Sequence, residues 1–163
     1  MKKFKRFISM ALCMILCFTM FNFNVEAAEV EYKVGDIVDG SELIDDTQST
    51  GKVEHIARGV NLGDGVSGIA NCGNGLVYAS GSTNCNRVCS QVNLTLYVER
   101  LVNGDWIRVS ERSFSTNNSY DLNGSYYVTV TKGYFYRVQG YHTASSNGIT
   151  ESNWSKTGGV WVG

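Results

Sequence analysis

The chain contains no proline and only two histidines in 163 residues, and its 15 acidic and 14 basic side chains nearly cancel. With no proline, the tight turns fall to glycine, present 18 times, and to asparagine, the residues that tolerate positive φ. The same absence removes any L-P-x-T-G sorting motif. Two histidines, His55 and His142, are few for a metal centre and leave little material for acid–base chemistry. The charge balance lacks the basic excess of a nucleic-acid binder, so no nucleic-acid partner is expected. Beyond residue 27 there is no sustained helical periodicity and no apolar run long enough to cross a bilayer.

What is present begins with an export signature. Lys2, Lys3, Lys5 and Arg6 form a basic start, and an apolar run follows from Phe7 to Phe21. Val25 and Ala27 then supply the −3 and −1 residues of a signal-peptidase site. Residues 1–27 are expected to be removed and the product, starting at Ala28, to be secreted without a membrane anchor. The 136 residues left carry 14 acids against 10 bases, since Glu26 and four bases leave with the signal. Residues 28–54 hold eight of these acids and two lysines with no sustained apolar period. That is the composition of a mobile acidic leader, and no D-x-D-x-D-G spacing turns it into a calcium loop.

Residues 55–163 read as one β domain. A first strand is expected over His55–Val60, broken at Asn61–Gly65. Val66–Cys72 and Leu76–Ser80 follow as short strands joined by the turn Gly73-Asn74-Gly75. From Gln91 to Leu101 the pattern is cleanest: Val92, Leu94, Leu96 and Val98 alternate with Asn93, Thr95, Tyr97 and Glu99, a half-buried strand. Asn103-Gly104 then predicts a two-residue type I′ hairpin. Its register sets Val98 opposite Val109, and Glu99 opposite Arg108 on the other face. Ser115–Ser119 reads as a polar connection and Tyr126–Val130 as a further strand. Gly133 closes a corner, and Tyr136, Val138 and Gly140 begin a strand that runs to Thr143. Trp154-Ser155 leads to a last short strand, Val160-Trp161-Val162.

A tyrosine placed where one β-sheet hands the chain to another is a recurrent device of Ig-like sandwiches. With Val130, Gly133 and Tyr136 at its corner, the Gln91–Gly163 stretch resembles a fibronectin type III domain. The resemblance implies an antiparallel β-sandwich of about seven to nine strands. The whole mature chain also resembles a family of small secreted proteins of Gram-positive bacteria that has no known function. That resemblance rests on R-G-V-N-L at Arg58–Leu62, S-G-S-T at Ser80–Thr83, Y-V-E-R-L-x-N-G-x-W at Tyr97–Trp106 and G-Y-F-Y-R-V-Q-G-Y-H at Gly133–His142. It implies no activity and no catalytic residue.

Three cysteines follow residue 27: Cys72, Cys85 and Cys89. Export permits disulfides, and a bond from Cys72 to Cys85 or Cys89 is one reading; buried reduced thiols are the other. The C-x12-C-x3-C spacing lacks metal-site geometry, so no metal or cofactor is expected. His142, at a strand end, is expected to bond a neighbouring backbone group. A hydrolytic alternative would pair it with Glu151 or Asp121, but no nucleophile elbow accompanies it. Aromatics are the surplus, with nine tyrosines, seven phenylalanines and three tryptophans. Alternation puts Tyr97, Trp106 and Tyr141 on an outer face, and Trp154 sits in a loop beside them. These four are the candidate ligand-binding residues, for a polysaccharide or a protein outside the cell. The expected protein is thus a non-enzymatic exported binding module, with a structural, self-associating role as the alternative.

Overall fold

A computed structural model describes residues 31–53 and 59–163. The signal-peptide reading and the start of the strand expected at residue 55 fall outside the described residues. Nine strands follow in order: β1 (Ile37–Val38), β2 (Ser41–Ile44), β3 (Gln48–Lys52), β4 (Leu62–Asn71) and β5 (Leu76–Val102). After them come β6 (Asp105–Thr129), β7 (Tyr134–Ser146), β8 (Ile149–Lys156) and β9 (Gly159–Val162). No helix occurs among the described residues. The strands form one sheet in the order β1-β2-β9-β7-β5-β4-β3, with β6 also beside β5 and β8 also beside β7. The sheet is mixed, since β2 runs parallel to β9 while the other pairings are antiparallel.

The expected hairpin at Asn103-Gly104 is there, with φ of 51° and 93° at its two turn residues, as a type I′ turn requires. Its arms are far longer than the alternation suggested. β5 has 27 residues and β6 has 25, and the turn expected at Ser82–Asn84 and the polar connection at Ser115–Ser119 are both inside strands. A register shift interrupts the pair between Asn84 and Cys89, and Asn118, just past the Cys89–Ser119 pair, takes a φ of 51°. Bulges of this kind bend a strand and increase its twist. The first half of β5 lies between β4 and the end of β6, while its second half lies between β7 and the start of β6. Val77 and Ala79 from the first half therefore pack into the same core as Leu94, Leu96 and Val98 from the second. The sheet curls over itself as a half-barrel, and Ile69, Tyr136, Val138, Val160 and Val162 complete the filling.

A second bulge corrects the expected hairpin register. Glu99 does face Arg108, but Val98 faces Ser110, with Val109 as the extra residue and well exposed. Glu99 forms its ion pair elsewhere, with Arg137 one strand over.

The acidic leader expected to be mobile is built into the sheet as β1, β2 and β3. Asp39-Gly40 makes a two-residue hairpin, with φ of 48° and 69° between the paired Val38 and Ser41. The turn presents Asp39 to Arg137, whose guanidinium is nearly fully buried. Arg137 Nε donates to Glu99 Oε2 at 2.8 Å, Nη2 to Asp39 Oδ2 at 2.9 Å and Nη1 to Ser41 Oγ at 3.1 Å. The ring of Trp106 lies 4.5 Å from the guanidinium. This cluster holds the arm down, and Leu43 from β2 fills an apolar pocket with Leu101 and Phe135.

At the β6–β7 corner, Gly133 takes a φ of 85°. The Tyr136 hydroxyl donates to the Thr131 carbonyl at 2.6 Å, which satisfies the one polar atom of a fully buried ring.

Arg137→Ala leaves Glu99 buried without a counter-ion, so it is expected to lower the unfolding free energy by about 3–5 kcal/mol. Urea denaturation measures this, and Arg137→Ala with Glu99→Gln should recover part of the loss.

Candidate functional site

Three of the four expected aromatics come together on the outer face of β5, β7 and β8. Thr95, Tyr141 and Trp154 form one row across these strands, and Tyr97, Gln139 and Lys156 form the next. The Trp154 ring is 4.5 Å from that of Tyr141 and 5.8 Å from that of Tyr97. Trp154 is 44% exposed and Tyr97 and Tyr141 are half-buried, so the three rings make one open platform. Trp154 lies in strand β8, not in a loop as expected. Arg108 extends the platform by stacking 3.6 Å above the Tyr97 ring, steadied by Glu111 at 3.4 Å. Beside it, the hydroxyls of Thr95 and Ser113 bond each other at 2.9 Å.

Trp106 does not join them. It packs beside the apolar group of Leu43, Leu101 and Phe135, and its Nε1 donates to the Val38 carbonyl at 3.1 Å. Here it is a structural ring beneath the N-terminal arm. Arg108, which does reach the platform, was missed by the sequence reading because it was assigned to Glu99. Its signal was available in the same hairpin: residues 108 and 97 face one side, two positions apart across the turn.

His142 is fully buried and bridges the two walls of the half-barrel. Its Nδ1 is 2.9 Å from Thr83 Oγ1 and its Nε2 is 2.7 Å from Ser155 Oγ. Each ring nitrogen thus faces a hydroxyl that can donate or accept, and Thr83 Oγ1 also donates within reach of the Asn93 carbonyl at 3.3 Å. The bonds expected to a neighbouring backbone group are made to these two hydroxyls instead. Gly65 allows the close approach, since a Cβ there would sit 2.5 Å from the imidazole carbons. Burial pushes the imidazole down to about 4, opposed by the more distant Asp64 carboxylate.

Glu151, the base partner considered for His142, is committed elsewhere. Its carboxylate accepts from the backbone N–H groups of Val60, Asn61 and Leu62 at 2.7–2.8 Å. Desolvation raises its pKa, but these three bonds outweigh it and hold the carboxyl below its ordinary value. The opposite wall carries a recess of about 450 Å³ lined by Thr50, Tyr78, Ser80, Ser82, Asn123 and Ser125, among others. None of its lining side chains is charged. No cluster with metal-binding composition occurs among the described residues.

Of the two cysteine readings, a bond from Cys72 and reduced thiols, the sheet geometry excludes the first. All three are free thiols. Cys72 follows Asn71, which pairs with Val77, while Cys85 pairs with Leu62 at the other end of the same β4–β5 ladder. About nine residues of strand, roughly 30 Å, separate the two ends, whereas a disulfide needs Cα atoms within about 7 Å. Cys72 therefore reaches neither Cys85 nor Cys89.

Because the folded His142 titrates near 4 against 6.5 for a free imidazole, protonation favours the unfolded chain. The stabilisation is full above about pH 6.5 and is lost as the pH falls towards 4, about 3 kcal/mol in all. In urea midpoints measured against pH, His142→Gln should flatten the slope between pH 6.5 and 5, above the range in which Asp39 and Glu151 take up protons.

Residues 26–159 match the model of a family of unknown function, DUF6147, and the chain belongs to that family. No curated protein and no solved structure matches it significantly.

Proposed function

We propose that this member of a family of unknown function is a non-enzymatic extracellular binding module. Its Tyr97–Trp154–Tyr141 platform takes the sugar rings of a cell-wall or other polysaccharide. The observation that carries this reading is the contiguity of the three rings on an exposed sheet face. A pyranose has an apolar C–H face and a polar rim. A flat aromatic surface covers the first, and hydroxyl, amide and guanidinium groups serve the second. Thr95, Ser113, Gln139 and Arg108 supply such groups beside the platform. An exposed indole stacked on Tyr97 and tilted against Tyr141 adds little to a core already filled on the other face of the strands, and a surface aromatic cluster of this kind suits a binding site.

Export supports the same reading: the basic start, the apolar run and the Val25/Ala27 site direct the chain across the membrane. The mass of the protein recovered from the medium should place its first residue at Ala28; retention of residues 1–27 would oppose secretion by this route. The finer fold reading, a fibronectin type III-like sandwich, is favoured by the Tyr136–Thr131 bond at the β6–β7 corner. The parallel β2–β9 pair is a departure from an antiparallel sandwich, and an experimental strand order decides between them.

A second reading, self-association, is favoured by β6. Among the described residues this long strand pairs only with β5, and Ile107, Val109, Tyr120 and Tyr127 on it are exposed. An open edge of that length is a template for a further strand.

The test is co-sedimentation of the mature protein with Gram-positive cell walls and insoluble polysaccharides, with denatured protein as control. Saturable binding displaced by a soluble sugar is expected. Trp154→Ala should weaken it at least tenfold, about 1.4 kcal/mol, and leave the melting temperature nearly unchanged. Absence of binding to every polymer removes the sugar reading, and concentration-dependent dimerisation abolished by Ile107→Lys establishes the second.

A further inference from the structure

We propose that Cys85 and Cys89 form a covalent cross-link site, closing as an intrachain disulfide under oxidising conditions. In a straight strand, residues four apart share a face but lie about 13 Å from each other, too far to bond. Here the strand is not straight. Asn84 pairs with Asp121 and Cys89 with Ser119, so residues 85–88 of β5 stand against Tyr120 alone on β6. The slack of four residues against one leaves enough chain to bring the two side chains together. Both enter one apolar cluster: Cys89, fully buried, packs with Leu62, Val92 and Ala144, and Cys85 and Leu122 pack against it.

The surroundings agree with this placement. Burial, and next the neighbouring Cys89 thiol, push the Cys85 thiol up to about 12. That high value disfavours the thiolate and so slows exchange with an external disulfide, while the disulfide that results carries no charge and suits the apolar cluster. The third thiol, Cys72, is exposed at the far end of the ladder and stays out of the bond.

The reaction balances with an external disulfide as oxidant. A Cys thiolate attacks one sulfur of R–S–S–R and expels R–S⁻; the second Cys sulfur then attacks the mixed disulfide and expels the other R–S⁻. The pair loses two protons and two electrons, and the oxidant becomes two R–SH. The new bond closes a five-residue loop across the bulge and ties down the bend where β5 passes from one wall to the other.

The sequence makes the test direct, because Arg87 lies between the two cysteines. The mature protein is equilibrated with a glutathione/glutathione disulfide buffer, its free thiols are blocked with N-ethylmaleimide, and it is digested with trypsin without reduction. The expected result is one blocked cysteine, Cys72, with the peptides ending at Arg87 and starting at Val88 joined until reductant is added. Cys72→Ser should keep the joined pair and Cys85→Ser should lose it. Reduction should lower the urea midpoint of the wild type and leave that of Cys85→Ser unmoved. Three blocked cysteines in the wild type, or loss of the joined peptides in Cys72→Ser, would overturn the proposal.

Discussion

A two-stranded ribbon with more than twenty residues in each arm must bend before it can bury its own apolar face. β5 and β6 meet this constraint at the register shift between Asn84 and Cys89, and the rest of the structure depends on it. Below the bend the ribbon joins β4 and β3; above it, β7 with β8 and β9. The apolar alternation then continues through both halves and closes on itself. Val77 and Ala79 of one half meet Leu94, Leu96 and Val98 of the other. Burying side chains of this size is worth about 1.5–3 kcal/mol each, so the curl is where the main stabilisation arises.

The buried charged and titratable groups of β7 are bonded on both of its faces, His142 on the inner and Arg137 on the outer. His142 spans the walls between Thr83 and Ser155, and Arg137 ties β7 to Glu99 and to the N-terminal arm. A buried pair of charges adds little net stability, because desolvation offsets most of the attraction. What each does is penalise alternatives: a one-residue slip of β7 would strand an imidazole or a guanidinium without partners. The same side chains that look like catalytic material in the sequence are consumed by this task. The outer face of β5, β7 and β8 is left free to carry the aromatic platform.

Position on an element, more than residue type, separates the platform from the scaffold. Tyr97, Tyr141 and Trp154 project from the open part of the sheet face. Trp106 projects from the same side but lies where the arm crosses, so its indole donates to the Val38 carbonyl and faces no solvent ligand. Where the arm ends, the aromatic platform begins.

Much of this was legible in the residues. The alternation from Val92 to Val98, the Asn103-Gly104 turn, the Gly73-Asn74-Gly75 turn and the Gly133/Tyr136 corner are all local signals, because side-chain period and positive φ depend only on neighbouring residues. They determined an all-β chain and which face of β5 is apolar. The Asp39-Gly40 turn was an equally local signal, masked by the acidic composition around it. What only the tertiary structure decided is non-local: that the arm docks, that Glu99 takes Arg137 and leaves Arg108 to Tyr97, that Cys72 is out of reach of the other thiols, and that Trp106 is covered. Each depends on which distant strand arrives next to which, and that choice is made by burial and charge pairing across the curled sheet, for which no single stretch of sequence carries the pattern.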